Sequence, residues 1–132
     1  MIRGKAKIRT EMKLLLTNDD GIDSPGLAAL QQAAVLLGDA IVVAPLEAHS
    51  GCSHRVTTGK PIRVDRRKAD RFAVDGTPAD CVRVALHGLA GDIAASIYGE
   101  NSMLATDIIT CLGEAFSVCD DEATSKFAYL QR

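Results

Sequence analysis

The feature that most limits the fold is a pair of short, mainly apolar runs on either side of a segment with helical periodicity. Residues 12–17 read M-K-L-L-L-T, and residues 40–44 read A-I-V-V-A. Between them, Asp23 or Ser24 offers a helix N-cap, Pro25 occupies the favoured first helical position, and apolar residues then recur at helical spacing. Two buried strands joined by a helix form a right-handed βαβ unit. The sequence therefore predicts a parallel sheet core.

Further along the chain the pattern predicts a hairpin. Residues 61–64 and 72–74 have the composition of short strands, and they flank the charged segment 65–71. We expect this segment to be exposed.

A second helix is predicted to follow the hairpin. It begins at Thr77 and Pro78, and Gly91 with Asp92 is expected to end it. Residues 93–98 are then interpreted as a third parallel strand, which would deliver residues after Gly99 to the same edge of the sheet as the other strand ends.

Polar residues follow the predicted strands where an open parallel sheet binds its ligands, outside the carboxyl ends. Asp19 and Asp20 come directly after the first strand, and Asn101 follows the third. Two adjacent ionised carboxylates repel each other, so a divalent cation between them is an economical explanation. An all-oxygen set suits Mg²⁺ or Mn²⁺ better than zinc. The structural alternative is a polar turn in which an aspartate caps the following helix.

The second strand leads into a long stretch rich in Ser, Gly, His and Thr over residues 45–60, which is typical of a functional loop. Its backbone N–H groups around Gly51 and Ser53 are candidates for phosphate binding. His49 and His54 lie on either side of residues 50–53 and could act as acid or base, although a loop histidine is more often part of the polar surface.

Composition narrows the class of protein. The chain has 132 residues and a formal net charge of -2, which fits one globular domain and gives no overall field for a nucleic acid. No apolar run approaches the roughly 20 residues of a transmembrane helix. The four cysteines show no C-x-x-C pair or metal-ligand spacing, so we expect reduced thiols and a cytoplasmic protein. No Walker or dinucleotide-binding glycine motif is present.

Five short segments together form a specific pattern. They are L-L-L-T-N-D-D-G-I (14–22), P-G-L (25–27), V-V-A-P (42–45), S-G-C-S (50–53) and V-D-G-T-P-A-D-C-V (74–82). In order and spacing this pattern resembles the survival protein E (SurE) family of metal-dependent nucleotidases. The resemblance implies an α/β, Rossmann-like three-layer αβα fold with a mostly parallel sheet. It also implies a cytoplasmic homo-oligomer, a dimer or tetramer, that hydrolyses nucleoside monophosphates to nucleoside and phosphate.

The resemblance also assigns site residues. It places a divalent metal cation, Mg²⁺ or Mn²⁺, on Asp19, Asp20, Ser50 and Asn101, with phosphate held near Gly51 and Ser53. The last segment reads S-I-Y-G-E-N-S over residues 96–102, so tyrosine stands where the family has serine before the glycine. No catalytic nucleophile is assigned to the chain.

We divide the chain into a basic N-terminal extension (residues 1–11), a SurE-like core (12–102) and a divergent tail (103–132). The fold is expected to be incomplete at the C-terminus, because the tail has room for one amphipathic helix and a short end at 127–130. Exposed apolar sheet surface should result.

Two other functions can be compared with that of a nucleotidase. A catalytically inactive, truncated metal- or nucleotide-binding module stays open. A signalling receiver domain is disfavoured because no aspartate follows the second strand.

Overall fold

The apolar pattern is realised as alternating strands and helices in the computed structural model, which describes residues 12–120. Four strands and three helices are present in this part of the chain. In chain order they are β1 (Met12–Leu16), α1 (Pro25–Ala34), β2 (Gly38–Pro45), β3 (Val64–Lys68), β4 (Arg71–Val74), α2 (Pro78–Tyr98) and α3 (Ala105–Asp120).

The strands form one mostly parallel sheet in the order β1-β2-β4-β3. β1 pairs with β2 in parallel, with Leu14 opposite Ala40, and β2 pairs with β4 in parallel, with Val43 opposite Phe72. β3 joins the edge antiparallel to β4. The predicted parallel core and the predicted hairpin are both confirmed.

The hairpin differs from the prediction in its bounds. β3 (Val64–Lys68) begins at the last residue of the first predicted strand and continues through residues 65–68, which were expected to connect the two strands, and β4 begins at Arg71. An edge strand needs hydrogen bonds on one side only, and it tolerates charged side chains that point to solvent. The exposed Arg66, Arg67 and Lys68 therefore do not prevent strand formation here.

Helices cover both faces of the sheet and make three layers. On one face, Leu27 and Ala34 of α1 pack with Val42 and Ala44 of β2. On the other face, side chains from α2 pack with alternate residues of the same two central strands, in a cluster that contains Ile41, Val43, Phe72, Val74, Cys81 and Ala85. The βαβ unit and the three-layer architecture predicted from the sequence are thus confirmed.

The predicted third parallel strand at residues 93–98 is wrong, because these residues are the last turns of α2. Gly91 does not end the helix. A glycine inside a helix costs only about 1 kcal/mol relative to alanine. This cost is offset where Leu89, Ile93 and Ala94 are buried against Ala115 of α3.

Gly99 is the residue at which α2 ends. Its φ of +82° lies in the left-handed region, and its N–H donates to the carbonyl of Ala95 at 2.9 Å. Glycine adopts such a positive φ readily because it has no Cβ.

The described part of the tail, residues 103–120, contains one helix, α3, as predicted, and this helix packs against the second half of α2. The expected exposed apolar surface lies elsewhere than predicted. Among the described residues, the most exposed large apolar side chains are on helices and turns, Leu36 at 68%, Leu104 at 66% and Ile109 at 65%, while the central strands are covered. The basic extension 1–11 and the short end at 127–130 lie outside the described residues.

Candidate functional site

The turn after β1 is held in place by its own side chains. The Asn18 Nδ2 group donates to the carbonyl of Gly21 at 3.0 Å and to the Ser24 hydroxyl at 2.7 Å. Ser24 Oγ in turn accepts from the N–H of Leu27 at 3.3 Å and caps α1. The N-cap of α1 is therefore Ser24, which is one of the two residues predicted for this position. Neither Asp19 nor Asp20 caps the helix.

Gly21 is required by the geometry of this turn. Its φ is +96°, and a Cβ at this position would lie 3.2 Å from the Glu47 carbonyl carbon. The turn and the loop after β2 are thus in close contact. Asp19 and Asp20 are both exposed at this edge of the sheet.

Arg71 also holds the turn after β1 in place, a role that no pattern in the sequence indicates. Its guanidinium group donates to the carbonyl of Ile22 and, at 2.7 Å, to Oε1 of Gln31. Gln31 also donates to Asp70 at 2.9 Å. These contacts join residues about 40 or more positions apart, so no local sequence signal indicates them.

The loop after β2, residues 46–63, meets the aspartate turn through the backbone. The N–H of His49 donates to the carbonyl of Asp19 at 2.6 Å. Ser50 is the next residue along the chain, so the loop that bears it is attached to the aspartate turn. Gly51 and Ser53 have φ values of +74° and +50°, so the backbone turns sharply just after Ser50.

The far end of the same loop is tied to the start of α2. The N–H of Thr57 donates to both carboxylate oxygens of Asp80, at 3.0 and 3.2 Å, and its hydroxyl donates at 2.6 Å. Thr77 is the N-cap of α2, as predicted from the sequence, and it forms a capping box with Asp80. The link from Asp80 to Thr57 was not predicted.

Two carboxyl groups near the site have altered pKa values. Burial acts to raise the pKa of Asp80, but the hydrogen bonds from Thr57 and Thr77 outweigh it and hold the pKa below its ordinary value of 3.8. The Lys60 ammonium group, 3.0 Å away, hydrogen-bonds the exposed Asp75 and lowers its pKa.

Three cysteines of the described residues are free thiols, and two of them, Cys52 and Cys81, belong to the loop after β2 and the first turn of α2. Burial raises the pKa of Cys81 to about 12, an effect that the neighbouring Thr17 side chain partly opposes. Cys52 is half-buried in the loop after β2 and is also free, and Cys111 is free and buried between α2 and α3.

Asn101 does not join the other predicted ligands. It is exposed in the turn after α2, because the residues before it form a helix instead of a strand. α2 begins at the edge of the sheet where Asp80 lies, and its 21 residues extend about 30 Å at about 1.5 Å per residue. The structure thus brings Asp19, Asp20, Ser50, Gly51 and Ser53 to one edge and places Asn101 near the other end of α2.

The donors at this edge are chemically consistent with a hard divalent cation. They are carboxylates and a hydroxyl, the oxygen ligands that Mg²⁺ and Mn²⁺ prefer. The Asn18 Oδ1 atom beside them is buried and has no hydrogen-bond partner within residues 12–120. Over the same residues, no group of three or more His, Cys, Asp or Glu side chains is arranged so that it could hold a metal ion. His49 is half-buried and His54 is exposed.

Comparison with known proteins identifies relatives over most of the described residues. A family model described as Survival protein SurE matches residues 14–106. The 5'-nucleotidase SurE of Geotalea uraniireducens is 45% identical over 100 residues, which are 74% of this chain and 40% of that protein. The 5'-nucleotidase SurE 1 of Burkholderia lata is 49% identical over 86 residues, which are 64% of this chain and 33% of that protein.

A solved structure resembles the fold. The crystal structure of the SurE protein from Aquifex aeolicus matches with a TM-score of 0.54 at 43% sequence identity, and the match covers 57% of this chain and 31% of that chain. The chain spans 40% of the length of the Geotalea relative. None of the helices within residues 12–120 is both long and apolar enough to cross a membrane.

Proposed function

The chain belongs to the survival protein SurE family, and on that premise we propose that it is a metal-dependent phosphohydrolase. Its substrates are nucleoside monophosphates, which it cleaves to nucleoside and phosphate. The names of the Geotalea and Burkholderia relatives, both 5'-nucleotidases, support this substrate class.

One observation carries the proposal for the site. The bond from the His49 N–H to the Asp19 carbonyl, 2.6 Å long, joins the acidic turn to the loop that bears Ser50. We propose that Asp19, Asp20 and Ser50 hold the divalent cation, Mg²⁺ or Mn²⁺. Asn101 stays a prediction from the resemblance, and its position after α2 gives it no support.

A divalent cation, when bound, polarises a phosphoryl oxygen and makes water a better nucleophile. The residues of the chain do the positioning. The two carboxylates would hold the cation, and the backbone N–H groups at Gly51 and Ser53 would donate to the phosphate oxygens of a bound substrate. Left-handed residues in a tight turn, such as Gly51 at +74°, are typical of backbone concavities that bind anions. No side chain is proposed as a nucleophile.

The first prediction tests the cation site. Asp19→Asn and Asp20→Asn should each weaken Mn²⁺ binding, measured by calorimetry, by about 100-fold or more, because each removes a charged oxygen ligand. Phosphate release from nucleoside monophosphates should fall with it, and EDTA should abolish the release by the unmodified chain. Asp23→Asn, which removes an exposed carboxylate from the end of the same turn, serves as the control.

The results also separate the two functions left open by the sequence. Unchanged Mn²⁺ binding in both variants would show that the site is assigned to the wrong residues. Mn²⁺ binding without phosphate release would instead favour the inactive metal- or nucleotide-binding module.

The remaining expectations from the family are proposals as well. We propose a homo-oligomer, a dimer or tetramer, in the cytoplasm, with a functional core at residues 12–102. Sedimentation of the purified chain tests the oligomer directly.

A further inference from the structure

The side chain of Asp80 is a buried carboxylate that the proposed chemistry does not use. It is 0% exposed, and it lies in the first turn of α2. A capping box needs one of its oxygens, and Oδ2 fills that role by accepting from the Thr77 N–H at 2.9 Å. The other oxygen, Oδ1, accepts from the N–H of Thr57 at 3.0 Å. Asp80 therefore does more than a helix cap requires.

These bonds fasten the downstream end of the loop that carries Ser50. The Thr57 hydroxyl donates to Oδ2 of Asp80 at 2.6 Å, and the Thr77 hydroxyl donates to the carbonyl of Arg55 at 2.5 Å. The upstream end is fastened by the His49 N–H on the Asp19 carbonyl. Residues 50–53 lie between the two attachment points.

The backbone between the attachment points is not relaxed. Ser53 has a φ of +50°, which is uncommon for a residue with a Cβ. Such a conformation is strained and persists only where the surroundings impose it. The bonds at Arg55 and Thr57, two and four residues further on, are contacts that can impose it.

The approach of Asp80 to this region also depends on glycine. A Cβ on Gly76 would lie 2.8 Å from Oδ2 of Asp80. The carboxylate therefore occupies space that any other residue at position 76 would fill.

We propose that Asp80 is a positioning residue that, through Thr57, holds residues 50–53 in the conformation that presents Ser50 and the phosphate-binding backbone to the Asp19–Asp20 turn. Its importance for phosphate release rests on the proposed function, whereas its hold on the loop does not.

The test uses variants of Thr57 in the full chain. Thr57→Val removes the hydroxyl bond to Asp80 at similar side-chain volume and leaves the capping box of α2 intact. Thr57→Ser keeps the hydroxyl and is the matched control. Asp80→Asn is less suitable, because both oxygens of Asp80 accept from backbone N–H groups and an amide N–H₂ would face one of them, which endangers folding. The test of the proposal therefore rests on Thr57→Val and Thr57→Ser.

Two readouts are measured, amide hydrogen exchange and steady-state kinetics with Mn²⁺. In Thr57→Val, exchange of residues 50–56 should be about tenfold faster or more, while the amides of the later turns of α2 stay protected. The kcat for phosphate release should fall about tenfold or more, because small displacements of positioning groups are costly in rate. Thr57→Ser should restore both.

The two readouts separate failure of this proposal from failure of the proposed function. Unchanged exchange at residues 50–56 in Thr57→Val overturns the positioning role, whether or not the chain is active. Faster exchange with unchanged kcat and KM overturns it as well. If the unmodified chain neither binds Mn²⁺ nor releases phosphate, the proposed function fails, and hydrogen exchange alone decides whether Asp80 holds the loop.

Discussion

The two halves of α2 are stabilised by different kinds of contact. Its first turn is surrounded by hydrogen bonds, in which Asp80 accepts from Thr57 and Thr77. Its second half is packed with apolar side chains, where Leu89 and Ile93 meet α3. We refer to these regions as the polar end and the apolar end of α2.

The difference shows which contacts set geometry and which set stability. Hydrogen bonds depend steeply on distance and angle, so the polar end fixes where the loop after β2 lies. Apolar burial has no direction and scales with area, so the apolar end stabilises the fold without specifying the positions of single atoms. The residues proposed for chemistry, except Asn101, lie at the edge of the sheet where α2 begins with its polar end.

The largest effect is expected at the apolar end. Leu89 is 1% exposed, and Leu89→Ala should lower the free energy of unfolding by about 2 to 5 kcal/mol because it leaves a cavity between α2 and α3. Leu104→Ala is the control, since Leu104 is 66% exposed and its loss should cost no more than about 0.5 kcal/mol. Urea unfolding measures both. Similar losses for the two variants would mean that α3 does not pack as described.

An intermediate effect is expected at the polar end, and it depends on pH. Thr57→Val removes a hydrogen bond to a carboxylate and should cost about 1.5 to 3 kcal/mol at neutral pH. The folded-state pKa of Asp80 lies below 3.8, so its ionised form stabilises the folded chain above that value, and this contribution is lost as the pH falls through the folded-state pKa. The stability difference between the unmodified chain and Thr57→Val should therefore shrink below pH 3.8.

Unfolding curves at pH values on both sides of 3.8 measure this difference. Gly91→Ala is the control because it changes no titratable group and no bond to one. A stability difference for Thr57→Val that does not vary with pH would show that the Asp80 carboxylate is not the partner that matters.

The smallest effect is a gain in stability. A Cβ on Gly91 would have no heavy atom within 4 Å beyond the neighbouring helix backbone, so Gly91→Ala should stabilise the chain by about 0.5 to 1 kcal/mol through helix propensity. Gly76→Ala at the polar end is the contrasting variant and should destabilise it, because the new Cβ meets Asp80 Oδ2 at 2.8 Å. The melting temperature follows both changes. A loss of stability in Gly91→Ala would contradict a continuous α2 and favour a break before residues 93–98.

The features that could be predicted from the sequence are those that depend on residues close together in the chain. The strands at either side of α1, the Pro25 start and the Thr77 cap depend on neighbouring residues, and all are confirmed. The strand predicted at 93–98 failed because packing on α3, a later part of the chain, outweighs the local effect of Gly91.

The candidate site shows this limit too. The aspartate turn and the Ser50 loop were placed at one edge by the general rule for parallel sheets. The contacts of Arg71 with Ile22 and of Thr57 with Asp80 join residues 49 and 23 positions apart. Periodicity and capping rules contain no information about such pairs, so these residues were found only in three dimensions.

The described thiols differ in burial, and this difference allows the loop after β2 to be labelled chemically. Burial raises the pKa of Cys81 to about 12, so this buried thiol is almost entirely protonated at pH 7. Cys111 is also buried, whereas Cys52 is partly accessible and stands between Gly51 and Ser53. Among these three thiols, a maleimide dye would react first at Cys52. Cys52 is thus an attachment point for a fluorescent dye inside the turn whose conformation Asp80 is proposed to hold.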